Sequence, residues 1–109
     1  LKAPSSAYFE LAEAMDESSV NAVSIEDAHR PNDLKLLELF KKTSVIIGLI
    51  DVAKSRLEES SEIKLRINNC LEHIDHHRLI AAPDCGLGLL NRKLANAKLK
   101  NLCTAAHSV

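Results

Sequence analysis

The sequence predicts an α/β fold of parallel strands alternating with helices, and three observations carry that expectation. Residues 44–50, SVIIGLI, form an apolar β-branched run suited to a strand covered on both faces, and residues 79–82, LIAA, form a second buried run. Stretches whose apolar residues recur every three or four positions lie beside these runs, the spacing of amphipathic helices. Glu26, Asp51, Asp84 and Cys85 all fall just past a strand end, the edge where α/β folds assemble their sites.

Each element follows in order. Ser5 or Ser6 can cap a first helix over about 6–15, with Tyr8, Leu11, Ala12 and Met15 as its apolar stripe. The polar residues 16–19 end it, and a strand over about 20–25 leads to Glu26 and Asp27. A loop holding Pro31 follows, and Asp33 can cap a second helix over about 33–42 that presents Leu36, Leu37 and Phe40. The strand 44–50 then runs straight into Asp51. Ser60 or Ser61 can cap a third helix over about 60–73, where Ile63, Ile67, Cys70, Leu71 and Ile74 keep a 3.6-residue spacing. A return loop leads to the strand 79–82, and a last helix over about 91–106 turns Ala95, Leu99, Leu102, Cys103 and Ala106 inward. Helices between successive strands imply right-handed crossovers and a parallel sheet.

Composition narrows the function. At 109 residues the chain is of single-domain size, and 46% apolar with 27% charged residues is ordinary globular usage. A net charge of -1 and 3% aromatic residues give neither the basic stripe nor the stacking rings of a nucleic-acid surface. No apolar run approaches the roughly 20 residues that span a bilayer, so no membrane partner is expected. Three cysteines without CxxC spacing suit a reducing, cytoplasmic setting rather than a disulfide framework.

The chemistry-bearing residues differ in what they suggest. Cys70 and Cys103 fall on apolar helix faces and read as packed thiols, whereas Cys85 stands in a loop between Pro83 and Gly86. There it is a candidate thiolate ligand or nucleophile. An acid after a strand has a plainer reading as a helix cap or a solvated charge. His73, His76 and His77 lie in the helix-to-strand loop at the edge opposite Glu26 and Cys85, and read as a solvated turn. Gly86-Leu87-Gly88 is too short for a dinucleotide fingerprint, and no P-loop or G-x-S-x-G is present.

Together, VSIE at 23–26, GLID at 48–51, PDCGL at 83–87 and the final helix near Asn91 resemble the C-terminal catalytic barrel of cobalamin-independent methionine synthase. The resemblance covers nearly the whole chain in the family's order. It implies the last three βα units of a TIM (β/α)8 barrel, preceded by the helix that leads into them. A closed barrel takes about 250 residues. Residues 1–109 therefore read as one incomplete domain, the C-terminal fragment of such a barrel, to be completed by the remainder of the barrel or by another chain.

The resemblance implies a zinc-dependent methyltransferase of methionine biosynthesis, passing a methyl group from methyltetrahydrofolate to a homocysteine-like thiol. Glu26 and Cys85 match two of the zinc ligands, Asp84 would support Cys85, and Ser24, Glu26 and Asp51 would contact substrate, with Asp51 also a candidate catalytic residue. The family's other two ligands, a His-x-Cys pair, align around Lys2 to Pro4, where this chain reads Leu-Lys-Ala-Pro. Larger members carry a His shortly after the Asp51 position, where this chain has Val52, Ala53 and Lys54. The ligand set is thus half complete, and the fragment alone is expected to transfer no methyl group. Two alternatives stand beside this reading: a related zinc-dependent transferase acting on another alkyl-thiol substrate, and a non-catalytic barrel remnant serving as a binding or assembly module.

Overall fold

Three parallel strands, β1 (Ala22–Glu26), β2 (Ser44–Ile50) and β3 (Leu79–Pro83), lie side by side in that order in the computed structural model, which describes residues 7–53 and 55–109. The helices are α1 (Ala7–Glu17), α2 (Ser60–Leu71) and α3 (Arg92–His107). The proposed caps Ser5 and Ser6, the Lys2–Pro4 alignment and Lys54 lie outside the described residues. The α/β expectation of parallel strands alternating with helices holds.

Strand β2 is central and apolar, so it carries the core. Val45, Ile47 and Leu49 are buried on one face together with Ile25 of β1. Around them pack Ile63, Ile67 and Cys70 of α2, Leu102 and Ala105 of α3, and Leu36, Leu37 and Phe40 from the segment between β1 and β2. The opposite face is more open. Side chains alternate along a strand, so Ser24 and Glu26 share that face with Ile46, Gly48, Ile80 and Ala82. There Ser24 is exposed and Ile80 is 46% exposed, so the sheet is not covered on both sides as its composition predicts.

Register decides what meets at the sheet's C-terminal edge. Glu26 of β1 lies beside Gly48 of β2, which lies beside Ala82 of β3. An irregularity between Gly48 and Ile50 then sets Ile50 beside Pro83, and the Asp84 N–H donates to the Ile50 carbonyl at 3.0 Å. Glu26, Asp51, Asp84 and Cys85 consequently end on one edge.

Four details depart from the sequence expectations. The helix expected over 33–42 is a short 3-10 segment, Leu34–Leu39, capped by Asp33. It stops because the Lys42 and Thr43 backbone N–H groups donate to the carboxylate of Asp16 at 3.1 and 3.0 Å, leaving them unavailable to a helix. The cap of α2 is Glu59 rather than Ser60 or Ser61, because the Glu62 carboxylate reaches back to the Glu59 N–H at 2.9 Å. In α1, Leu11 is 55% exposed while Asp16 is buried. The inner face of α3 is rotated, so that Lys98, Leu102 and Ala105 are buried while Leu99 is partly exposed and Cys103 is exposed. Cys103 is therefore no packed thiol, unlike Cys70, which is fully buried.

Candidate functional site

The edge beyond the strand ends brings two of the singled-out side chains into contact. Cys85, in the loop after β3, donates its thiol to Glu26 Oε1 at the end of β1, 3.0 Å away. The two residues are 59 positions apart in the chain and reach each other across the end of β2. A soft sulfur and a carboxylate oxygen this close are two donors that a zinc ion accepts, with Zn–S near 2.3 Å and Zn–O near 2.0–2.2 Å. Among the described residues no third His, Cys, Asp or Glu joins them.

Asp84 spends its carboxylate on the loop after β1. Its Oδ1 accepts from the backbone N–H groups of Asp27 and Ala28, both at 3.1 Å, and its Oδ2 accepts from the His29 N–H at 2.8 Å. One carboxylate thus holds the start of the loop after β1. To get there it passes over β2 at Gly48, where a Cβ would run into Asp84 Oδ1 and stand 2.8 Å from the Asp84 Cα. Gly48 is a glycine for reasons of space.

Asp51, just past the end of β2, is largely buried. Its Oδ2 lies 3.4 Å from Nδ1 of His29, its Oδ1 accepts from the Ala53 N–H at 2.9 Å, and its own N–H donates to Glu58. Sequence reasoning offered no histidine here. The structure supplies one from the loop after β1, in reach because Asp84 fixes that loop's backbone at residue 29. Ser24 sits on the same strand face as Glu26, one pleat earlier.

Two buried ion pairs hold this edge in shape, and neither shows as a sequence pattern. Asp27 is 1% exposed and receives Arg66 of α2 through two hydrogen bonds of 2.6 and 2.9 Å. Those bonds hold the Arg66 pKa above its usual value. Asn32 joins them, donating to both the Glu26 carbonyl and Asp27, so the loop after β1 is tied back onto α2. Lys98 of α3 is completely buried, and its ammonium donates to the Asp51 and Arg56 carbonyls and to Glu58 Oε1 at 3.0, 2.6 and 2.7 Å. That pins the loop between β2 and α2. A cleft of about 290 Å³ lies between these two loops and the start of α2, lined in part by Asp27, Asp51, Arg56 and Arg66.

The chain matches the family described as "Cobalamin-independent synthase, Catalytic domain" over residues 5–108. It belongs to that family. The chain is 36% identical over 96 residues to a methionine synthase of Thermococcus kodakarensis, covering 87% of this chain and 29% of that one. It is 32% identical over 101 residues to a probable 5-methyltetrahydropteroyltriglutamate–homocysteine methyltransferase of Schizosaccharomyces pombe, covering 91% of this chain and 13% of that one. Among solved structures it superposes with a TM-score of 0.87 and 27% identity on a B12-independent methionine synthase from Shewanella sp. W3-18-1, in complex with selenomethionine, over 92% of this chain and 29% of that chain. The chain therefore spans less than a third of the length of these relatives.

Membership in the cobalamin-independent synthase family explains the barrel-like geometry of the edge. The Shewanella synthase is a TIM barrel, and the three parallel units here superpose on part of it. In such barrels, chemistry collects at the C-terminal ends of the strands, where Glu26, Asp51 and Cys85 stand. The histidines of the opposite edge are occupied elsewhere, with His73 paired to Glu38 at 2.6 Å and the rings of His76 and His77 3.9 Å apart.

Proposed function

We propose that this chain is part of a zinc-dependent methyltransferase that moves a methyl group from a methyltetrahydrofolate-type donor to the sulfur of homocysteine, forming methionine. The observation that carries the reading is the 3.0 Å approach of the Cys85 thiol to the Glu26 carboxylate at the C-terminal edge of the sheet. The names of the family relatives, methionine synthase and homocysteine methyltransferase, support the same substrates. Glu26 and Cys85 would hold the metal, and the remaining ligands would come from the remainder of a barrel or from another chain.

A thiol of pKa about 8.5 is mostly protonated at neutral pH, and a zinc ion held by Glu26 and Cys85 would supply the charge that favours the thiolate of an acceptor. In the proposed transfer the acceptor sulfur would gain the methyl group as the donor's C–N bond breaks, the bonding electron pair staying on nitrogen, which takes up a proton. Ser24 and Asp51 are the groups assigned to substrate contact. Ser24 is exposed on the strand face that carries Glu26, and Asp51 lines the adjoining cleft. His29 Nδ1 lies 3.4 Å from Asp51 Oδ2 and is within reach of the same group.

Metal content tests the reading. The wild-type protein, purified and dialysed against a trace of zinc, is expected to retain metal that Cys85→Ala and Glu26→Gln each lose. Zinc retained equally by all three would move the metal away from this pair and overturn the assignment.

A further inference from the structure

One proposed ligand, Glu26, ends β1 and the other, Cys85, lies in the loop after β3, and those two strands do not pair. β1 and β3 are separated by β2, so no ladder hydrogen bond sets the distance between Glu26 and Cys85. Something else must. Asp84, the residue before Cys85, places its carboxylate on the backbone N–H groups of residues 27, 28 and 29, which follow Glu26 directly. The clamp therefore joins the chain immediately next to one ligand to the chain immediately next to the other.

Three bonds from consecutive backbone amides to one carboxylate, at 2.8–3.1 Å, are directional, so they fix the loop's position as well as its conformation. The clamp is anchored at its own base by the Asp84 N–H bond to the Ile50 carbonyl. Its path over β2 is open only because residue 48 has no side chain. By holding the His29 backbone it also sets the approach of His29 to Asp51.

The geometry points to Asp84, acting across Gly48, as the positioning residue that sets the separation of Glu26 and Cys85. This inference rests on the reading of those two residues as metal ligands. Asp84 touches neither side chain in the hydrogen-bond network, and works through the backbone on either side of β2. Gly48 is the second part of the device: it makes no polar contact through a side chain, yet determines whether the clamp can close.

Cobalt(II) is the probe, because a thiolate ligand gives it an absorption band that Cys85→Ala should abolish. Groups that orient a ligand without touching the metal typically change affinity 10–100-fold when altered. Asp84→Asn turns an amide N–H₂ toward backbone donors, and Gly48→Ala leaves Asp84 intact but blocks its path. Each is expected to weaken cobalt binding by at least about tenfold on that scale. Asp16→Asn, which removes a similar carboxylate clamp at the opposite edge of the sheet, is the control for general loss of stability and should leave the affinity unchanged. Cobalt binding by Asp84→Asn and Gly48→Ala that matches the Asp16→Asn control would overturn the inference.

A metal-free measurement separates this from failure of the zinc reading. If wild-type protein shows no Cys85-dependent band, the metal assignment falls, and alkylation of Cys85 by iodoacetamide decides the clamp. With the clamp closed, Glu26→Gln should speed alkylation several-fold by removing the carboxylate that holds the thiol proton. The same substitution should have no effect in an Asp84→Asn background. Equal acceleration in both backgrounds would overturn the positioning role.

Discussion

The three cysteines show how far one residue type can diverge in a single chain. Cys70 is fully buried, and its thiol pKa is pushed up to about 11, first by that burial and then by the nearby negative charge of Asp27. A thiol so protonated and so enclosed is a poor nucleophile. Peptide mapping after brief treatment of native protein with iodoacetamide should find Cys85 and Cys103 modified and Cys70 intact. Modification of Cys70 at the rate of Cys103 would contradict the packing of α2. Asp27 offers a second residue-scale expectation. Its pair with Arg66 is largely desolvated, with side-chain exposures of 1% and 28%. Replacing Arg66 by Met leaves a buried carboxylate with fewer donors and should cost about 3 kcal/mol, read as a shift in the urea unfolding midpoint.

Glu26, Asp51 and Cys85 were legible as candidate residues because position alone marks them: each follows an apolar run, and in a parallel sheet those ends share an edge. Their partners were not legible. Asp84 binds backbone amides that are 55–57 positions away, and no residue type in the sequence advertises a backbone donor. Arg66 and Lys98 look like solvated charges on helices, and only the folded chain shows that each reaches into a loop. His29 is not legible for a similar reason, since its relation to Asp51 depends on the clamp that carries it there.

At the scale of elements, periodicity located α1, α2 and α3 to within a few residues, because each packs an apolar stripe on the sheet. It failed between residues 33 and 42, where the segment is too constrained at its end to complete an α-helix. Asp16 imposes that constraint, and its pH behaviour follows. Burial alone would raise its pKa, but the hydrogen bonds from the Lys42 and Thr43 backbone hold the carboxyl well below the usual carboxylate range. A folded-state pKa depressed in this way contributes stability above the unfolded value of 3.8, and that contribution is lost as the pH falls below it. The urea midpoint of the wild type should therefore begin to drop near about pH 5 and keep dropping to well below about pH 3. Asp16→Asn should start lower at neutral pH and fall less across the same window. Parallel curves for the two proteins would show that Asp16 is not the linked group.

Lys98 acts at the same scale, since one ammonium ties α3 to the loop between β2 and α2 through three acceptors. Lys98→Met keeps much of the stem's volume but leaves Glu58 with its Asp51 N–H donor and no cation. The expected result is faster amide exchange across residues 51–53 and 55–58, together with a loss of about 3 kcal/mol, because half of a buried pair has been removed. Unchanged exchange there would mean that the loop is held by its own backbone.

At the scale of the whole molecule, the sheet has one finished face and one unfinished one. Ile25, Val45, Ile47 and Leu49 are sealed under the helices, whereas Ser24, Ile46 and Ile80 lie toward the open side. Among the described residues, β1 and β3 also each present an edge without a neighbouring strand. Open apolar edges and faces invite association. The relatives are more than three times as long as the segment this chain matches, so in a protein of that length further units have room to cover the same face. One substitution distinguishes a face that is meant to be covered from one that is meant to be wet. Ile80→Lys places a charge where the side chain is 46% exposed, so in the 109-residue chain it should raise the monomer fraction in sedimentation and scarcely move the melting temperature. In a protein carrying the additional strands, the same lysine would face a closed interior without a partner and should cost several kcal/mol. Equal tolerance in both settings would show that this face stays in water, and the three strands would then be a finished sheet rather than part of a larger one.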